Sequence, residues 1–112
     1  MNLKQIKQAI KDNGGATLTS DLNEATLKNG YMVSLKDHEL KISIEALSNE
    51  LLKDYQQIAK HHGAYVGLWL DNNDLYLDIS INIKDHQQAL KLAHDNKQLA
   101  IYHIEKGVTV YV

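Results

Sequence analysis

The chain has 112 residues, 44% apolar and 23% charged, a balance that fits a folded globular domain and argues against disorder. It contains no Cys, which excludes disulfides, thiolate nucleophiles and Cys-ligated zinc. The net charge is −2 and all twelve basic residues are Lys, so the forked Arg donor that reads guanine edges and clamps phosphate is missing.

One domain spanning residues 1–112 is expected. Asn2 to Asp12 reads as a helix, with Leu3, Ile6 and Ile10 at helical spacing, and Asn13-Gly14-Gly15 stops it. Lys4, Lys7 and Lys11 form a second stripe that reads as a solvated face. Lys and Gln interrupt the apolar residues here, so no signal-peptide core is present. No run approaches the length of a membrane span, and a cytoplasmic protein is expected.

Ala16–Ser20 reads as a short strand and Asp21–Gly30 as a polar loop. Tyr31–Leu35 and Glu39–Ile42 then read as a hairpin turning at Lys36-Asp37-His38. A helix follows, capped by Ser48 and closed by Gly63, with Leu51, Tyr55, Ile58 and His62 on one face. An earlier start at Ser43 would extend the apolar stripe through Ile44 and Leu47. Beyond the central stretch "AYVGLWLDNNDLYLDISI", a helix capped by Asp85 carries Ala89, Leu90 and Ala93 inward and ends at Asn96. The chain finishes as a hairpin, "LAIYHI" and "VTVYV", joined by a turn at Glu105-Lys106-Gly107. These elements predict an α+β fold: an antiparallel sheet of about five to seven short strands with two or three helices packed on one face.

The central stretch carries the most information. Whether the turn is Asn72-Asn73 or all of Asp71–Asp74, the pairing is the same. Val66, Leu68 and Leu70 then lie opposite Ile79, Leu77 and Leu75 on a wholly aliphatic face, which must be the core side. Trp69, the only Trp, is paired with Tyr76, Gly67 with Asp78 and Tyr65 with Ser80 on the opposite face. The plain structural reading is a cross-strand aromatic pair shielding a half-polar sheet surface. The functional reading takes Tyr65, Trp69, Tyr76 and Asp78, with the acidic turn residues Asp71 and Asp74, as a binding surface.

No catalytic motif is present. Asp71, Asp74 and Asp78 lack the spacing, Gly and Glu of a calcium loop. The six His residues include an adjacent pair, His61-His62, but no H-E-x-x-H. G-x-S-x-G, Walker and dinucleotide fingerprints are absent. No catalytic residue, metal ligand or cofactor is therefore assigned. Direct nucleic-acid binding is disfavoured, because the charge around the aromatic residues is acidic and repels phosphate. The uncharged "VTVYV" strand offers an edge through which two copies could pair.

"NGGATL", "GYMVSL", "VGLWLDNNDLYLDISI" and "QALKLAHDNKQLAIYHIEKG" together resemble a group of small uncharacterised bacteriophage and prophage proteins. That group carries an N-G-G start, a G-Y-x-V-S segment, a G-x-W…Y-x-D-x-S hairpin and a helix followed by Q-x-A-I-Y. The matching residues are Asn13, Gly14, Gly15, Gly30, Tyr31, Val33, Ser34, Gly67, Trp69, Tyr76, Asp78, Ser80, Gln98, Ala100 and Tyr102. The group pattern often has Asp after the last Tyr, where this chain has His103. The resemblance implies an accessory protein of a mobile element. Such a protein would bind a host protein in the bacterial cytoplasm, as an inhibitor of a defence or nucleic-acid-processing component. The alternative is a small-ligand or nucleotide-binding module, with weak enzymatic activity at most, using Tyr65, Trp69, Tyr76 and Asp78 as a pocket.

Overall fold

Each α-helix of the computed structural model, which describes Met1–Val112, starts after a residue whose side chain accepts an orphan N–H of the first turn. Helix α1, Leu3–Asn13, is capped by Asn2 in a reciprocal box with Gln5 and closed by Gly14 in the left-handed conformation. Helix α2, Asn49–His62, is capped by Ser48, whose hydroxyl accepts the Leu51 N–H at 3.1 Å, and is closed by Gly63. Helix α3, His86–Asp95, is capped by Asp85, which accepts the Gln88 N–H at 2.9 Å, and ends on Asn96. No helix is long and apolar enough to cross a membrane.

Seven antiparallel strands form one sheet: β1 Gly15–Leu18, β2 Tyr31–Ser34, β3 Leu40–Ser43, β4 Tyr65–Asp71, β5 Asp74–Ile83, β6 Ala100–His103 and β7 Val108–Tyr111. Their order is β1-β4-β5-β2-β6-β7, and β3 also pairs with β5. With three helices packed against the sheet, this is the expected α+β fold.

The β4–β5 register is the one read from the sequence, from Tyr65 opposite Ser80 to Asp71 opposite Asp74. Asn72 supplies the left-handed residue of the turn, with φ at 56°. Val66, Leu68, Leu75, Leu77 and Ile79 are buried and meet Ile6 and Ile10 of α1 and Leu52, Tyr55 and Ala59 of α2. A second, smaller cluster under α3 joins Val33 and Ile101 to Ala89 and Ala93, whose small side chains let the helix sit close. Trp69 points away from the helices and is 50% exposed.

Two expectations are corrected. Tyr31–Leu35 and Glu39–Ile42 do not form a hairpin with each other. Strands β2 and β3 lie end to end along the same edge of the ten-residue β5. The Leu35 N–H still donates to Ile79 O at 2.8 Å, and Leu40 sits opposite Leu77. Residues 36–39 therefore loop out against the single β5 position Asp78, with Asp37 left-handed at φ 71°. The physical reason is the length of β5: a local β2–β3 pair would leave the backbone groups along this edge unmatched.

The second correction concerns α2. Leu52, Tyr55 and Ala59 form its buried face, with Leu51 and Ile58 at the margins and His62 exposed. Contact with the sheet selects this stripe over the overlapping one, and the segment before the helix, Ile44–Ala46, forms a separate 3-10 turn capped by Ser43 where Ile44 and Leu47 are buried. Tyr55 reaches from α2 to donate its hydroxyl to His38 O at 2.6 Å, which ties down the loop between β2 and β3. Burial is the main cause that pushes its phenol upward in pKa, with the negative charges of Asp78 and Glu39 adding to it.

Replacing Tyr55→Phe removes only that hydrogen bond. The expected cost is about 1 kcal/mol in urea unfolding, with faster amide exchange over residues 36–39 than elsewhere in the sheet. Unchanged exchange in that loop would show that Tyr55 does not hold it.

Candidate functional site

Strand alternation places Thr17, Gly67, Asp78, Ser80, Ser34, Met32 and Tyr102 on the face of the sheet opposite the helices. The surface is not flat. After β1 the chain must cross to β2, which lies beyond β4 and β5. Residues 19–30 make this crossing as a strap. The Ala25 N–H donates to Thr17 O at 2.9 Å along the free edge of β1, and Asn29 O accepts from Asn82 Nδ2 at 3.2 Å at the far end. Ala25 and Leu27 of the strap then stand over the outer face. Tyr102, Ile104 and Thr109 of the terminal hairpin form the opposing wall. Between them lies a cleft of about 540 Å³, within the usual size of ligand pockets.

Two glycines shape this surface by what they lack. A Cβ on Gly15 would sit 2.7 Å from the Trp69 ring, so the indole lies directly over the Gly15 backbone. A Cβ on Gly67 would sit 2.1 Å from Asp78 Oδ1, so the carboxylate occupies the space that a side chain at position 67 would fill. Gly14-Gly15 thus has two jobs: Gly14 closes α1 and Gly15 seats the indole.

Asp78 lies on the cleft floor, largely shielded from solvent. Ser80 Oγ donates to its Oδ1 at 3.0 Å, and Ser34 Oγ donates to its Oδ2 at 3.3 Å. No Lys reaches it. The two ion pairs of the structure, Lys41–Asp74 at 3.6 Å and Lys60–Asp21 at 3.7 Å, are both elsewhere on the surface. Burial raises the Asp78 carboxyl above the ordinary range; the two hydroxyls oppose this, and the charge of Glu39 adds to it.

Of the residues singled out from the sequence, Trp69 and Asp78 line the cleft. Tyr65 and Tyr76 share its face but stand outside it. Tyr76 lies under the Lys41 ammonium, 5.8 Å from the ring centroid. Asp71 and Asp74 are exposed at the hairpin tip, where Asn73 Nδ2 donates to Glu45 Oε2 at 2.8 Å and ties the tip to the segment after β3. Glu45 is held below the ordinary carboxylate range, first by its hydrogen bond from Ser43.

Met32, Ser34, Ser80, Tyr102 and the strap residues Ala25 and Leu27 were not foreseen as cleft residues. The β4–β5 register had put Ser80 on this face, and the parity of β2 puts Met32 and Ser34 on one face. No group of three or more His, Asp or Glu side chains is placed to hold a metal ion. His86 and His103 instead stack on either side of Tyr31 on the helix-covered face, at 5.0 and 4.5 Å between ring centroids.

Two predictions test this geometry. Gly67→Ala should destabilise the protein by about 1–3 kcal/mol through overlap with Asp78, and by far less in an Asp78→Ala background. Equal costs in both backgrounds, measured by denaturant unfolding, would separate Gly67 from Asp78. The raised Asp78 pKa also sets the sign of a pH effect. Because the fold favours the protonated form, the stability this group contributes is full below its unfolded pKa and is lost as pH rises through its higher folded value. The melting temperature of Asp78→Asn should therefore gain on wild type from acid towards neutral pH, and a constant difference would contradict it.

No protein-family model, curated protein or solved structure matches the chain at a significant level, so the function is read from the site itself.

Proposed function

We propose that the chain is a phage or prophage accessory protein that acts by binding, and that the outer face of its sheet docks a host protein in the bacterial cytoplasm. One observation carries this reading: Trp69, Tyr76 and Tyr102 are 50%, 40% and 39% exposed on the face that holds the cleft. Large aromatic rings left half in water gain most from being covered, and Trp and Tyr dominate the energetic centres of protein interfaces. The polar groups on the cleft floor, one carboxylate and two serine hydroxyls that donate to it, are suited to recognition. The mobile-element origin rests on the resemblance of the N-G-G, G-Y-x-V-S and G-x-W…Y-x-D-x-S segments. The partner class it implies is a host defence or nucleic-acid-processing protein.

The volume of the cleft and the carboxylate on its floor favour a second reading, a module that takes a small ligand. The single Trp at the cleft separates the two readings cheaply. A ligand-dependent change in its fluorescence across a metabolite panel supports the second reading, and a flat response counts against it.

The first reading predicts that a host protein captured from a lysate of the bacterium carrying the element is lost on Trp69→Ala. The expected fall in affinity is at least about tenfold, as for an energetic anchor. A partner retained equally by wild type, Trp69→Ala and Tyr102→Ala would exclude this face as the docking surface.

A further inference from the structure

We infer that the outer-face cleft is a receptor for a primary ammonium group carried on a slender apolar stem, with the head group on Asp78 and the stem between Trp69, Met32 and Tyr102. This deepens the proposed function and rests on its premise that the outer face is the binding face.

The floor of the cleft is rich in acceptors and poor in positive charge. Each oxygen of the Asp78 carboxylate takes one hydroxyl, from Ser80 or Ser34, and a carboxylate has about four lone-pair sites in all. Lone pairs therefore stay open, and no ammonium of the chain meets them: Lys41 pairs with Asp74 and Lys60 with Asp21. Ser34 Oγ and Ser80 Oγ also lie 3.3 Å apart, so their own oxygens add acceptors beside the carboxylate. A group with three N–H donors and a positive charge complements this floor.

An anionic head would face an uncompensated carboxylate. A neutral alkyl group would bury the Asp78 charge with its two hydroxyl partners and no counter-charge, which is costly. The walls select the stem. Met32, Leu27 and Ile104 are apolar, and Trp69 and Tyr102 also line the cleft, aromatic side chains of the kind that pack against methylenes and attract cations. This chemistry is shared by a lysine side chain of a docked protein and by a free alkylamine.

The test is titration of the intact protein with n-pentylamine and with N-acetyl-lysine methylamide, read by Trp69 fluorescence and by amide NMR shifts at Gly67 and Ser80. N-acetyl-norleucine methylamide serves as the uncharged control. Both amines should saturate the site, and the control should bind at least about tenfold more weakly, as should both amines to Asp78→Asn. Tighter binding of the lysine derivative than of pentylamine assigns the source as a protein side chain; the reverse assigns a free amine. Circular-dichroism melting shows whether Asp78→Asn is folded. If it is not, Ser34→Ala/Ser80→Ala takes its place, with weaker amine binding expected. Equal binding of the uncharged control, or no shift at Gly67 and Ser80 at saturating amine, overturns the inference. If amines fail while Trp69→Ala still abolishes capture of the host protein, the inference falls and the docking surface stands. If amines bind and capture is indifferent to Trp69, the host-protein reading falls instead.

Discussion

Side-chain alternation along β5 is the constraint on which the rest of the molecule depends. Leu75, Leu77 and Ile79 face inward and are 0%, 1% and 0% exposed, while Tyr76, Asp78 and Asn82 face the other way. A slip of one residue would put the Asp78 carboxylate among the helices and three aliphatic side chains in water. The energetic gap between the two arrangements is therefore large. Burying a Leu or Ile side chain is worth about 1.5–3 kcal/mol each, and an unpaired buried charge costs more. β5 is also the strand that gathers the sheet: β4 lies on one side, and β2 and β3 share the other.

From this register the outer face follows. Trp69 must lie opposite Tyr76, and the residue across from Asp78 must be small enough to admit a carboxylate. The strap converts that face from a surface into a cleft. Its path is forced by topology, because β1 and β2 are separated by two strands and the inner face is filled by helices. The chain therefore crosses the side without helices, and Ala25 and Leu27 are left standing over it.

Much of this was legible in the sequence where local rules decide. The caps Ser48 and Asp85, the stop at Gly63 and the β4–β5 pairing each depend on residues a few positions apart, and each is found as read. What was not legible depends on distant partners. Tyr31–Ser34 and Leu40–Ser43 alternate as a hairpin would, and nothing nearby reveals that a ten-residue strand far along the chain offers both a better edge. The α2 face was misplaced by a fraction of a turn for a related reason: Leu51, Leu52, Tyr55 and Ile58 admit two overlapping stripes, and contact with the sheet selects one. Of the candidate site, Trp69 and Asp78 were in view. The wall residues Leu27, Met32 and Tyr102 come from three separate segments, and only the sheet order brings them together.

Asp78 is the position where the requirements of folding and of the site diverge. Three local concessions meet there. The carboxylate is shielded from water without a cation, which raises its pKa. Its cross-strand neighbour is Gly67, and glycine inside a strand costs about 0.5–1 kcal/mol relative to alanine. The edge beside it is interrupted, because residues 36–39 loop outward against this one position instead of continuing the ladder. A Ser or Thr at the same place would keep the outer face polar, keep the register and avoid the buried charge. Local conflicts with an otherwise consistent fold tend to concentrate at functional sites, where the compensating interaction is made with something outside the chain. A cation arriving in the cleft supplies that interaction: it completes the hydrogen bonding of the carboxylate, lowers its pKa towards the ordinary value, and so returns to the bound state the stability that the free protein lacks.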